Sequence, residues 1–384
     1  MPALARIRER ATSSAIALDD WGRVRRKTHG SRSEKAENLR LLAMDLDADP
    51  VRARMREAIA SNDLATMLEL AAPERLAQLA PGSIFVLSAA LWDRFPQRRP
   101  DVYRMYDQAV RLFPGDYVLQ SVGGNIYQEA SRFEASLACR SAALSLRPDD
   151  PTARMRAIDS LYFLGRMTEA EGACRALLAS HPDHAEARCM LGLCRLQLGD
   201  FAEAHTELER GFAIADKLEY RPDRLAVRYY VGVATREELG VGIASAVNDT
   251  SLATCLHALL AHPDPAKRDP SYVLRVLEEL RGLAGSDCEW VVETVARVRL
   301  EDWEGALAAI GGHYSAPSTL LVTPGAIEFL RTLALAKLGR LDAARECYAR
   351  AMVAWKELTG GDEAAWERSD VMRWRREAEA ALAR

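Results

Sequence analysis

Few residues in this 384-residue chain stand at spacings that could do chemistry. His181-Pro182-Asp183-His184 puts two imidazoles three residues apart, the start of a metal site, but no third ligand is pinned beside them. Cys189 and Cys194 are five apart, so on one helix they point to different faces and suit neither a disulfide nor tetrahedral zinc. Asp19-Asp20 and Glu278-Glu279 are adjacent carboxylates. Neighbours on a helix diverge by about 100°, so neither pair can share a substrate as a general acid and base do. Gly240-Val241-Gly242 lacks the preceding strand and the third glycine of a phosphate loop. No GxSxG elbow, HExxH helix or Walker loop occurs. The expectation is a protein that is not an enzyme, with no catalytic residues, no cofactor and no metal.

Two stretches carry charge patterns suited to nucleic acid. Residues 1–40 hold ten Lys or Arg against five Asp or Glu, with almost no aromatic interleaving. Near the other end, Trp366 and Trp374 mix with Arg368, Arg373, Arg375 and Arg376. The simpler expectation is solvated helix faces, with the tryptophans docking a closing helix. Net charge of −4 and a pI near 6.1 give no global pull toward nucleic acid or anionic membrane. Seven scattered cysteines without CxxC fit buried thiols in a reducing compartment. The start of the chain has no secretory apolar core, and no apolar run approaches the roughly 20 residues of a membrane span. A cytoplasmic protein without a membrane segment is expected.

The elements that must position any site announce themselves by repetition. Pro114-Gly115-Asp116, Pro148-Asp149-Asp150 and Pro182-Asp183-His184 stand 34 residues apart, and LGRMTEA (164–170) and LGDFAEA (198–204) follow the last two at equal distance. ASRFEAS (130–136) is a weaker copy in the first unit. This pattern resembles tetratricopeptide (TPR) helical hairpins. It implies an all-α, TPR-type helical-hairpin solenoid, a right-handed superhelix with an irregular helical lead-in and a C-terminal capping helix. Small residues let helices approach, Gly124 and Gly192 at the eighth position and Ala170 and Ala204 at the twentieth. Each proline ends a second helix, because it lacks an amide hydrogen.

Four regions are expected. Residues 1–100 form a lead-in of small helices, with two over 1–47 separated by a basic connection at Arg23 to Lys27 and on to Gly30. Residues 101–216 hold three to four TPR units. Residues 217–285 are an irregular helical connection, in which one helix over 222–239 ends at Gly240. Residues 286–384 add TPR-like hairpins, among them LEDWEGALAAI (300–310) and LGRLDAARECYARAMVAW (338–355), and a closing helix over 362–384 that covers the last hairpin.

The concave side of such a superhelix is lined by the first helix of each hairpin. The predicted partner-binding residues are Asn125, Gln128 and Glu129, then Arg156, Asp159, Tyr162 and Phe163, then Glu186 and Gln197; Met155, Cys189 and Leu193 share that face. A polar groove with aromatic flanks suits an extended peptide or a partner helix. It does not match the carboxylate clamp of chaperone-binding TPR domains: Asn125 fits, whereas Ser121, Asp159, Glu186 and Met190 do not.

The order of motifs also resembles the TPR tails of certain bacterial serine/threonine protein kinases. LDDWGRVRRK (18–27), DPVRARMREAIASND (49–63), RLFPGDYVLQ (111–120), LATCLHALLAHPDPAKRDPSYVLRVLEELRGLAG (252–285), LEDWEGALAA and RWRREAEAAL (373–382) occur in that order over nearly the whole chain. Kinase catalysis is not implied, since there is no HRD, DFG, VAIK-like strand or ATP-binding glycine loop. The expectation is a non-catalytic interaction scaffold with a protein or peptide partner, linked to kinase signalling. The alternative is a nucleic-acid-binding helical repeat regulator using the basic N-terminal region.

Overall fold

The computed structural model describes residues 2–29, 34–215, 220–244, 249–262, 264–280, 289–311, 324–359 and 363–383. Among them every regular element is helical: α1 Pro2–His29, α2 Glu34–Leu46, α3 Pro50–Ser61, α4 Leu64–Leu70, α5 Pro73–Leu76, α6 Pro81–Arg94, α7 Arg99–Leu112, α8 Tyr117–Glu129, α9 Phe133–Leu146, α10 Pro151–Phe163, α11 Met167–Ser180, α12 Ala185–Gln197 and α13 Phe201–Ile214. There follow α14 Arg221–Tyr230, α15 Arg236–Ala244, α16 Asp249–Ala261, α17 Pro270–Leu280, α18 Glu289–Arg299, α19 Trp303–Ile310, α20 Pro324–Lys337, α21 Leu341–Thr359 and α22 Asp370–Leu382. No strand occurs among the described residues. The expected all-α TPR architecture is the one observed, with hairpins α8/α9, α10/α11, α12/α13, α18/α19 and α20/α21.

The chain divides into two compact units, Met1–Ala153 and Arg154–Arg384, each with its own apolar core. In unit 1, Met55, Met67, Leu76, Ile84, Leu87, Leu91, Met105 and Tyr106 are fully buried. Aspartates start its helices: Asp49 Oδ1 accepts from the amides of Val51 (3.0 Å) and Arg52 (2.9 Å), and Asp116 Oδ1 from Leu119 (2.8 Å). A buried ion network ties α1 to α3. Arg56 Nε donates to Asp19 (3.0 Å), Arg56 Nη2 to Asp47 (2.9 Å), and Arg52 Nε to Asp47 (2.6 Å). Burial would raise the Asp47 carboxyl, but the hydrogen bonds from Arg52 and Arg56 outweigh it and hold the pKa at about 2.

The turn between the two helices of a hairpin explains the LG motif. Gly165, Gly199 and Gly339 have φ of 75°, 80° and 74°, in the left-handed region that glycine enters without steric cost. Ser131 (56°) and Glu301 (58°) adopt the same conformation at the equivalent places in ASRFEAS and LEDWEGA. The turn geometry is thus kept where the glycine is not, at a backbone cost of about 1–2 kcal/mol.

Three expectations are corrected. The basic run Arg23–Lys27 is not a connection but lies inside α1, which runs unbroken from Pro2 to His29; no proline interrupts it after Pro2, and the single Gly22 costs only about 1 kcal/mol in a helix of this length. The single helix over 222–239 is two, broken after Tyr230 at Gly232 (φ 75°), so Gly240-Val241-Gly242 lies within α15. Thr235 starts α15 by a capping box: its hydroxyl accepts from the Glu238 amide (3.2 Å) while the Glu238 carboxylate accepts from the Thr235 amide (2.7 Å). The closing helix is shorter than 362–384. Within it a 3-10 turn, Glu363–Trp366, precedes α22, which Ser369 caps.

Candidate partner-binding site

The site is assembled in unit 1 around α8. Gly124 leaves room for Arg140 of α9; a Cβ there would sit 2.6 Å from Arg140 Cγ. The buried guanidinium then donates to Asn125 Oδ1 (3.1 Å) and to Gln128 Oε1. Ser136, which replaces the expected small alanine, donates its hydroxyl to the Gly124 carbonyl (2.7 Å). Asn125 and Gln128 are therefore fixed from beneath, whereas the Asn125 and Glu129 side chains are exposed. Their helix borders a groove floored by Phe85, Trp92, Val122 and Ile126 and rimmed by Arg23, Asp93, Asn125 and Glu129. Arg23 donates to Asp93 (2.9 Å), and the Arg99 guanidinium stacks over Trp92 at 4.5 Å.

The floor residues were not among those expected. Counting positions on the first helix of each repeat finds α8 but cannot find α6, which belongs to no repeat. The signal was the dense apolar run from Ile84 to Trp92, whose two faces serve core and groove.

In unit 2 the predicted residues are differently placed. Arg156 is exposed and pairs with Asp159 (3.3 Å), itself largely buried. Tyr162 is 3% exposed, packs edge-on against Phe163 (6.1 Å), and turns its hydroxyl toward Gln197; burial pushes its phenol far above the usual range. Met155, Cys189 and Leu193 are buried in the core, because stacking of adjacent hairpins consumes these positions. Glu186 stands half-buried in the first turn of α12. Gln197 lines a small cavity with Gly199, Phe201, Tyr230, Thr254, His257 and Asp370. There Tyr230 stacks on Phe201 (4.4 Å), its hydroxyl is 3.1 Å from His257 Nδ1, and His257 Nε2 is 3.4 Å from Asp370 Oδ2. The cavity has room for about one water molecule, so this histidine and carboxylate meet no substrate-sized space.

The remaining candidates for chemistry serve the fold. His184 caps α12, its Nδ1 accepting from the Ala187 amide (3.2 Å), and His181 Nδ1 lies 3.0 Å from the Ser180 hydroxyl. Among the described residues no three His, Cys, Asp or Glu cluster as metal ligands, and no helix is long and apolar enough to cross a membrane. Trp366 and Trp374 are buried, out of reach of a nucleic base. The arginines around them pair with acids: Arg375 with Glu363 (3.0 Å) and Glu379 (3.0 Å), Arg373 with Asp370, Arg376 with Glu367. In the basic N-terminal region, Arg23 pairs with Asp20 (2.9 Å) and Arg40 with Glu37.

Comparison with known proteins agrees with this architecture. Residues 123–180 and 157–219 match the tetratricopeptide repeat family model. No curated protein sequence matches the chain. Among solved structures, a tetratricopeptide repeat protein from Parabacteroides merdae is similar at 16% identity, over 66% of this chain and 98% of that one, with a TM-score of 0.46. YrrB, described as a TPR protein with an unusual peptide-binding site, is similar at 16% identity, over 55% of this chain and 97% of that one, with a TM-score of 0.37. By the family-model match, the middle of the chain, residues 123–219, is built from tetratricopeptide repeats.

Proposed function

We propose that the protein is a non-catalytic interaction scaffold that binds an extended peptide or a partner helix along α8. One observation carries this reading: Asn125 and Glu129 stand exposed at the rim of a groove whose floor is Phe85, Trp92, Val122 and Ile126. A partner side chain of apolar type fits the floor, and an amide or cation on either side meets the rim. Because Arg140 already holds Asn125 and Gln128, little side-chain entropy is lost when they are engaged. The ordered likeness to kinase tails supports a partner within serine/threonine kinase signalling. The nucleic-acid alternative is disfavoured by the pairing of Arg23 and Arg40 with carboxylates.

The test is selection of peptides from a random display library on the whole chain, followed by titration against variants. Peptides selected on the wild type should lose about tenfold or more in affinity on Glu129→Lys, a surface change, and on Trp92→Ala. Equal affinity for both variants would refute the groove. Micromolar binding to single- or double-stranded nucleic acid that falls steeply with salt would support the alternative.

A further inference from the structure

The C-terminal segment does more than close the last hairpin. In the ordinary repeat pattern α20 packs more on α19, the second helix of the preceding hairpin, than on α18. α22 reverses this, packing on α20, the first helix of its hairpin, far more than on α21. It therefore lies over the first-helix face of unit 2 and reaches elements distant in sequence. Arg299 Nη1 of α18 donates to Glu377 (3.1 Å), and His257 of α16 stands 3.4 Å from Asp370. Ahead of α22, the backbone of Arg368 runs against the α12/α13 turn so closely that a Cβ on Gly199 would fall 2.2 Å from the Arg368 carbonyl oxygen. The Arg368 guanidinium reaches Asp200 at 3.5 Å.

The match is chemical as well as spatial. The covered face carries His257, Arg268, Arg299 and Lys337, the last three beside a groove that Glu377 also lines. The covering helix sets Asp370 and Glu377 seven residues apart, two turns along one face, flanking the buried Val371, Trp374 and Ala378. In sequence, Gly360-Gly361 joins this segment to the last hairpin.

We infer that the first-helix face of unit 2 is a second interaction surface, occupied here by the chain's own segment Glu363–Ala383. A partner that displaces it is an amphipathic helix with two carboxylates seven residues apart beside an apolar, tryptophan-bearing stripe. This surface is independent of the α8 groove and stands or falls without it.

The experiment uses the full chain and, as probe, a fluorescent synthetic peptide of residues 363–383. Glu377→Lys sets like charges against Arg299 and Arg268 without touching the core; Gly199→Val strikes the Arg368 backbone. Hydrogen exchange in 363–383 should rise by about tenfold or more in Glu377→Lys while α20 and α21 keep wild-type protection. The wild-type peptide should then bind Glu377→Lys about tenfold or more tighter than it binds the wild-type chain, and a peptide carrying Glu377→Lys should not bind. Unchanged exchange in both variants would overturn the inference. So would a released segment whose face ignores the peptide, or exchange of 363–383 only with global unfolding of unit 2.

Discussion

The two units use one kind of hairpin and leave its first helix in opposite states. In unit 1, α8 stands beside an open groove, and the lead-in helix α6 supplies an apolar floor. In unit 2, the first-helix face from the α12/α13 turn to α20 is covered by the segment around α22. The repeats are equivalent in geometry, so the non-repeat segments flanking them decide which face a partner can reach. On the proposed reading, the helical lead-in builds one partner site and the C-terminal segment fills another.

The largest expected effect breaks the comparison through the core. Trp374 is 1% exposed, and Trp374→Ala should destabilise unit 2 by about 3–5 kcal/mol while leaving unit 1 intact. Hydrogen exchange resolved by segment should show loss of protection in unit 2 that is greatest over 363–383; equal loss in α3–α7 would mean that the two cores unfold as one.

Acid should separate the units next. Burial is the main cause lowering the pKa of both His257 and His262, with Arg373 and Arg299 adding to it and Asp370 opposing it at His257. A histidine lowered in the folded state binds its proton more readily when unfolded, so unit 2 loses stability as pH falls below the ordinary value of about 6.5. In unit 1, Asp47 at about 2 lies below its ordinary value. Its contribution is present above pH about 4 and is lost only as the pH falls from there toward 2. Denaturant melts at pH 7.5, 5.5 and 4.5 should weaken unit 2 first, with His257→Gln flattening part of that dependence. Simultaneous weakening of both units would contradict it.

How far the sequence could be read follows from the same contrast. The 34-residue period and the LG turns are local, and they locate every hairpin from α8 to α13, as well as α18/α19 and α20/α21. The α14/α15 break was also local, signalled by Thr235 and Glu238, and is hidden only if the helical pattern is read through Gly232. The pairing of Gly199 with Arg368 was not legible, because nothing in a repeat template relates residues so distant along the chain. For the same reason the template offered Tyr162, Met155 and Leu193 as groove residues, although hairpin stacking buries them.

The smallest effect sharpens the turn argument. Glu301→Gly and Ser131→Gly should each stabilise their unit by about 0.5–1 kcal/mol, because both residues hold positive φ where glycine stands elsewhere. Thermal melting should rise by a few degrees, and a fall would show that these side chains contribute more than the backbone strain they impose.

The most direct test of the account is residue-level footprinting of the full chain with and without a peptide selected on it. The account predicts that Trp92 and the Asn125–Glu129 turn of α8 are labelled in the free protein and protected by the peptide, while Trp374 stays protected throughout. Protection confined to the α22 region, or none along α8, would contradict it.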